Sequence, residues 1–218
     1  GSEELISSPG ALPTPDKFDE VLEPIVRVSM IVPSEFIGVT MTLSNDHRGV
    51  FIRQEHLSPT RVQLVYDIPL GEIMYDFYDK LKSATRGFGT LNYDLTGFSP
   101  ADLVKLSILV NGKEVDALCA IVHRSFADQR GRAILKKLRK EIPRHMFEVR
   151  LQAAIGSRII ARESIAALRK DVTAKCYGGD ITRKRKLLEK QKAGKRRMRQ
   201  VGSVDIPQKA FLSVLGSD

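Results

Sequence analysis

From Val26 to Val32 the chain alternates. Val26, Val28, Met30 and Val32 fall on one side, with Arg27, Ser29 and Ile31 on the other. That period of two predicts a strand. Pro33 ends it, and Ser34 is placed to cap a helix whose shared face is Phe36, Val39 and Leu43, with Gly49 closing it. A strand at Val50 to His56, a turn at Leu57 to Pro59 and a strand with Val62, Leu64, Tyr66 and Ile68 on one side follow, up to Pro69. Leu70, Ile73, Met74, Phe77, Leu81 and Ala84 then recur at helical spacing, which predicts one amphipathic helix as far as Gly87. Leu91, Tyr93 and Leu95 alternate with Asn92 and Asp94 in a last strand.

The order over residues 24–98 is β-α-β-β-α-β, the ferredoxin-like arrangement, in which two helices cover one face of a four-stranded sheet. Residues 3–23 carry Pro9, Pro13 and Pro15 without periodicity and read as a linker, and Gly1-Ser2 reads as a cloning scar on an excised fragment. Beyond Ser99-Pro100 the pattern predicts a second, smaller mixed α/β domain over 99–174, so the class is α+β. It opens with a hairpin, Leu103 to Val110 and Lys113 to Val122, around Asn111-Gly112. Ser125 with Asp128 resembles a capping box for a helix from about Ala127 to Ile142, with Ile134, Leu138 and Ile142 inward. A strand from Phe147 to Ile155 turns at Gly156-Ser157 toward Arg158 to Arg162. Ile165, Leu168 and Val172 predict a short helix, and Ala210 to Leu215 an apolar tail that docks back.

Charge changes the picture. The chain carries 35 Lys and Arg against 26 Asp and Glu, a formal net charge of +9. The segment from Lys175 to Arg199 holds eleven cations against Asp180 and Glu189, so it carries the whole excess. The half before residue 99 is acidic on balance, the half after it strongly basic. An unbalanced run of this kind is built to meet a polyanion, because internal salt bridges cannot neutralise it. The predicted contacts are Lys175, Arg183, Lys184, Arg185, Lys186, Lys190, Lys192, Lys195, Arg196, Arg197 and Arg199, with Gly178 and Gly179 as a hinge. Gly194 and a weak apolar stripe predict a nascent helix from Arg183 to about Gln200 that orders on its partner. Arg124, Arg130, Arg132, Lys136, Lys137, Arg139, Lys140 and Arg144 could extend the surface, or form a solvated face. Tyr177 is the one aromatic nearby, so phosphate contact and shape are expected to outweigh base stacking.

Other chemistry is sparse. No phosphate-cradling glycine loop is present, and no apolar run is long enough to span a membrane. His47, His56, His123 and His145 lack metal spacing. Cys119 and His123 read as a core cysteine and a strand-end histidine. No catalytic constellation stands out. The alternatives are a generic RNA-binding module, a peripheral module on an anionic membrane, or an RNA-processing domain using Asp94 or the His123-Arg124 pair. The arm lacks the aromatic face that favours a membrane.

At Lys175 to Lys192, and in the blocks Asp116 to Leu118, Val122 to Arg124, Pro143 to Val149 and Gln152 to Glu163, the chain closely resembles the C-terminal region of LepA, also called elongation factor four. That family comprises ribosome-associated translational GTPases. The resemblance implies an elongation-factor-G-like domain over 24–98, a LepA-type domain after it, and an arm over 175–218 that meets ribosomal RNA and an A-site or P-site tRNA. It implies a role in moving tRNAs backward or remodelling stalled ribosomes. GTP and Mg would belong to a GTPase domain absent from these residues, so this stretch is expected to have no catalytic residue, cofactor or metal of its own. A monomer in the bacterial cytoplasm is expected, with peripheral contact at the inner membrane and an organellar source as further possibilities.

Overall fold

A computed structural model describes residues 3–13, 17–74, 76–174 and 181–215, with the side chains of residues 200 and 201 outside the description. The chain divides into two compact units, whose main bodies are Pro13–Leu103 and Val104–Val214.

In the first unit, strands β1 (Leu22–Pro33), β2 (Val50–Ser58), β3 (Arg61–Pro69) and β4 (Thr90–Pro100) form an antiparallel sheet in the order β2-β3-β1-β4. This is the ferredoxin-like order expected from the alternation. Val26, Val28, Met30 and Val32 pair across to Ile68, Tyr66, Leu64 and Val62, and all eight are buried. Strand pairing thus puts two predicted stripes on one face, where helices cover them. β1 begins at Leu22, before the expected start at residue 24, and β4 runs past residue 98. Glu23 is buried in β1 and is gripped through both carboxylate oxygens by Arg48.

Two helix expectations change. Ser34 opens a 3-10 turn (Ser34–Phe36) without a side-chain cap, and α1 (Ile37–Asp46) follows. Its deeply buried residues are Thr40 and Ser44, whereas Val39 is exposed. Small hydroxyl residues can lie close against a sheet because each returns its proton to the carbonyl one turn back: Thr40 to Phe36 at 2.8 Å and Ser44 to Thr40 at 2.9 Å. Gly49 ends the segment as expected, since a Cβ there would lie 2.6 Å from the Ser44 oxygen. The single helix expected from Leu70 onward is two: α2 (Leu70–Ile73) and α3 (Phe77–Ala84). Asp76 has left helical dihedrals (φ −130°, ψ 3°), and the break turns Met74 out to solvent while Ile73, Phe77 and Leu81 stay buried.

The second unit is a five-stranded sheet. It contains β5 (Leu103–Val110), β6 (Lys113–Glu114), β7 (Ala120–His123), β8 (Val149–Ile155) and β9 (Arg158–Ile165), in the order β6-β5-β8-β9 with β7 also paired to β5. Asn111 and Gly112 both take positive φ (52° and 82°), the two-residue turn their sequence predicts. The expected long return strand is broken. After β6 a 3-10 turn (Asp116–Leu118) drives Leu118 into the core.

α4 (Arg124–Glu141) lies on this sheet through Ala127, Gly131, Leu135 and Leu138, all buried at i, i+4 and i+3 steps. The expected stripe caught Leu138, Ile142 and Ile134, which packs partly buried against the core, but left out the fully buried Leu135. Gly131 lets the helix approach, since a Cβ there would lie 3.0 Å from that of Ala153 on β8. The capping box at Ser125 is replaced by His123, whose Nδ1 accepts from the Ser125 N–H at 3.3 Å. No helix forms around Leu168. Ile165 pairs with Val149 as the last core residue of β9, and the Leu168 N–H donates to the His145 carbonyl at 2.8 Å. The tail docks as expected. The last helix of the chain (Gln208–Leu215) buries Ala210 completely and packs Phe211 and Val214 on the same core.

Candidate nucleic-acid interface

The basic segment forms one long helix, α5 (Ile181–Val201). At about 1.5 Å per residue, its 21 residues make an arm of roughly 30 Å. The sequence predicted a helix that waits for its partner. The structure instead shows one that is already formed and tied down along one side.

Lys184, Leu187, Gln191, Gly194, Lys195 and Arg199 are half-buried at three- and four-residue steps, which defines an inward stripe. Its fastenings all belong to the second unit. Gln191 Nε2 donates to the Lys170 carbonyl at 2.8 Å, and Lys195 Nζ donates to the Leu168 carbonyl at 2.6 Å. Arg199 faces Glu148 at 3.9 Å. Just past the helix, Gly202 meets the Phe147 ring so closely that a Cβ would lie 2.6 Å from Cε1. Lys195 and Arg199 are therefore fastened to the scaffold, and Lys184 lies in the same stripe. The weak apolar stripe touches this docking face only at Leu187 and Gly194, because the fastenings themselves are glutamine, lysine and arginine.

The remaining cations point away. Arg183, Arg185, Lys186, Lys190, Lys192, Arg196 and Arg197 are all exposed. Arg183, Lys186, Lys190 and Arg197 recur at near-multiples of the helical turn along one flank, and Arg185, Lys192 and Arg196 along the other. Glu189 is the only acid on α5. It pairs with Arg185 at 3.3 Å, in an exposed contact that removes little of the charge. Two rows of cations on an ordered helix match the charge of a nucleic-acid backbone. Lys175, Gly178 and Gly179, the rest of the expected arm and its hinge, lie outside the described residues.

The second group of basic residues is divided by its partners. Arg124, Arg132, Lys136, Arg139, Lys140 and Arg144 are exposed, and Arg130 and Lys137 are half-buried. Arg139 is held by Glu163 of β9 at 2.8 Å, and Arg124, Arg130 and Lys137 are also engaged. Arg132 and Lys136 have no acidic partner among the described residues and border a cleft against β9.

Of the residues offered for other chemistry, His123 and Arg124 are otherwise occupied. His123 caps α4 and contacts the Ser125 hydroxyl at 2.7 Å. Asp94 is exposed on β4, opposite Arg27 of β1. The sequence pattern does not reveal a group formed by Glu114, Asp116 and Cys119, whose ligand-type atoms lie within 4.8 Å of one another. Lys105 hydrogen-bonds to Glu114 and holds its carboxyl below the usual range, while burial pushes the Cys119 thiol up. A lysine ammonium, a carboxylate and a protonated thiol make a hydrogen-bonding cluster that fixes the turn between β6 and β7.

Comparison with known proteins follows the two units. Residues 20–109 match the family model described as the elongation factor G C-terminus. Residues 110–216 match the one described as the GTP-binding protein LepA C-terminus. The chain belongs to the LepA family. Curated relatives named elongation factor 4 agree along its full length. That of Symbiobacterium thermophilum is 57% identical over 218 residues, that of Alkaliphilus oremlandii 54% and that of Bacillus subtilis 52%. In each case the match covers 100% of this chain and 36% of the relative. This LepA-family chain thus corresponds to a C-terminal part, about a third of the length of the relatives it matches. No helix among its described residues is long and apolar enough to cross a membrane.

Proposed function

We propose that this chain is the RNA-contacting end of a ribosome-associated translation factor. α5 lies along the phosphate backbone of ribosomal RNA and of a tRNA in the A or P site. The supporting observation is the ordered double row of exposed cations on α5, fastened along its opposite side to a folded domain. A preformed arm loses less conformational entropy on binding than a disordered one, and it delivers charge in a set direction. The acidic first unit is a poor match for bare RNA by charge, so it acts as a spacer and protein-facing module. In the whole factor, GTP hydrolysis belongs to the part of the relatives' length outside this chain, with Mg and GTP bound there. The arm's part is to remodel or move back tRNAs on stalled ribosomes in the bacterial cytoplasm, with the factor acting as a monomer.

The test is binding of labelled tRNA and of ribosomes by the full chain across a salt series. Replacing Arg183, Arg185, Lys186 and Lys190 with Gln should weaken binding. It should also flatten the dependence of log K on log salt by about 0.7–0.9 for each phosphate that is no longer neutralised. An unchanged affinity and slope would refute the assignment.

A further inference from the structure

The turn between α3 and β4 holds an aromatic ring out of the fold: Phe88 is 66% exposed. A single exposed apolar residue needs no explanation by itself. Here, however, the main chain on both sides of the ring is pinned. At the end of α3 the Gly87 N–H donates to the Lys82 carbonyl at 2.7 Å and the Arg86 N–H to the Ser83 carbonyl at 3.4 Å. Arg86 and Gly87 both take positive φ, 51° and 85°. Glycine stands where an apolar residue often folds back on the helix, and Phe88 is left outside. The Phe88 N–H then donates to the Thr85 carbonyl at 3.0 Å, and the Gly89 N–H to the Thr85 hydroxyl at 2.7 Å. A Cβ at Gly89 would lie 2.6 Å from that hydroxyl oxygen. A ring presented on a backbone this fixed loses little entropy when something binds it.

The charges around the ring are anchored as well. Lys82 donates from Nζ to the Gly87 carbonyl at 3.2 Å and lies 5.4 Å over the ring of Tyr78, which is itself exposed. The Arg86 guanidinium lies 5.8 Å over the ring of Phe36. Neither cation forms an ion pair among the described residues. Residues 77–90 hold three cations against one acid, Asp79, which is engaged by other contacts. The turn is therefore a basic spot on an acidic unit. Gly87 and Gly89 have no side chains to cover the ring, and a Cβ at Gly87 would meet nothing within 4 Å.

We propose that Phe88 stacks on an unpaired base of structured RNA, with Lys82 and Arg86 meeting the adjoining phosphates. The proposal rests on the RNA-binding reading and adds to it a second point of contact, on the first unit. That unit as a whole is ill matched to RNA by charge, and this turn is the local exception. A planar ring beside uncompensated cations suits a splayed base and its phosphates. A narrow tip between two glycines offers little apolar area for a protein partner, whose binding hot spots need a surrounding rim that excludes water.

The experiment uses the full chain and bacterial ribosomes. The chain contains no tryptophan, so Phe88→Trp places a single reporter at the tip. It should bind as tightly as wild type, and stacking should quench its emission without a blue shift. Phe88→Ala and Phe88→Leu should each bind ribosomes about five- to twentyfold more weakly, the effect of losing one stacked base. The dependence of log K on log salt should stay as in wild type, because no charge is removed. Circular dichroism verifies that each variant is folded. A blue shift without quenching, or a Leu variant that binds like wild type, would assign the ring to an apolar protein pocket and overturn the base contact. If Phe88→Ala binds like wild type while the α5 variant carrying Gln at 183, 185, 186 and 190 is weakened, the tip assignment falls and the arm reading stands. If neither is weakened, the RNA reading itself falls.

Discussion

Lys195 donates from Nζ to the main-chain oxygen of Leu168 at 2.6 Å. A residue that composition marks as a phosphate contact is therefore a fastening. The Leu168 N–H is in turn held by the His145 carbonyl at 2.8 Å, so the arm is joined through one residue to the segment that leads into β8.

Removing the fastenings should loosen the arm without discharging its outer face. In Gln191→Ala with Lys195→Ala, hydrogen exchange of the Gln191 to Arg199 amides should speed up by roughly fivefold, equivalent to about 1 kcal/mol. Affinity for tRNA should fall, while the salt slope changes by less than about one phosphate's worth. A slope that drops as far as in the outer-face variant would mean that Lys195 touches RNA after all.

Gly202 gives a steric version of the same test. A Cβ would lie 2.6 Å from Phe147 Cε1 and 2.7 Å from the Met198 carbonyl. Gly202→Ala should destabilise the docking of α5 by about 1–3 kcal/mol, because Phe147 is buried and has little room to move. Thermal melts and exchange of α5 amides measure it. Gly194→Ala is the control: a Cβ there meets nothing within 4 Å, so it should raise helix stability.

In the first unit, Thr85 links α3 to β4. Its hydroxyl donates to the Leu81 carbonyl at 2.7 Å and accepts from the Gly89 N–H at 2.7 Å, in a fully buried position. Thr85→Val conserves shape and leaves the Gly89 N–H without its acceptor. A drop of about 1–3 kcal/mol in urea unfolding is expected. Thr85→Ser should restore most of it.

Asp76 supplies an acid-side pH dependence. Partial burial alone would push its carboxyl up, but Lys80 at 2.7 Å and His47 at 3.7 Å together outweigh this and hold it below the ordinary range. A carboxyl with a lower pKa folded than unfolded stabilises the fold fully above its unfolded value, and that contribution disappears as pH falls through the folded one. Melting temperature should therefore drop below about pH 4, and Asp76→Asn should be less stable near neutrality with a flatter acid limb. Identical acid limbs in the two proteins would exclude Asp76 and its partners as a source of stability.

The first unit was legible because its core strands alternate cleanly. Once Val26 to Val32 and Val62 to Ile68 are opposed in register, the buried face and the order of the sheet follow. The Asn111-Gly112 turn was legible for a local reason, since both residues must take positive φ. What failed depended on groups distant in sequence. Residues of the short helix expected at Leu168 were claimed by β8 and by the His145 carbonyl. Small residues such as Thr40, Ser44 and Gly131 became core because close helix–sheet approach favours small size over hydrophobicity.

By itself the sequence determined that the charge is concentrated in one segment, that the front half is an acidic β-α-β-β-α-β unit, and that the likeness is to LepA. Composition and local periodicity carry the first two facts, and the motif blocks the third, without any knowledge of packing. Only the tertiary structure decided which cations face outward. Arg183, Arg185, Lys186, Lys190, Lys192, Arg196 and Arg197 remain outside, Lys195 and Arg199 are fastened to the domain, and Arg132 and Lys136 border a cleft against β9 with no acidic partner among the described residues. The reason is physical: a charge is the same letter wherever it falls, and its work is set by the groups that folding brings within hydrogen-bonding reach.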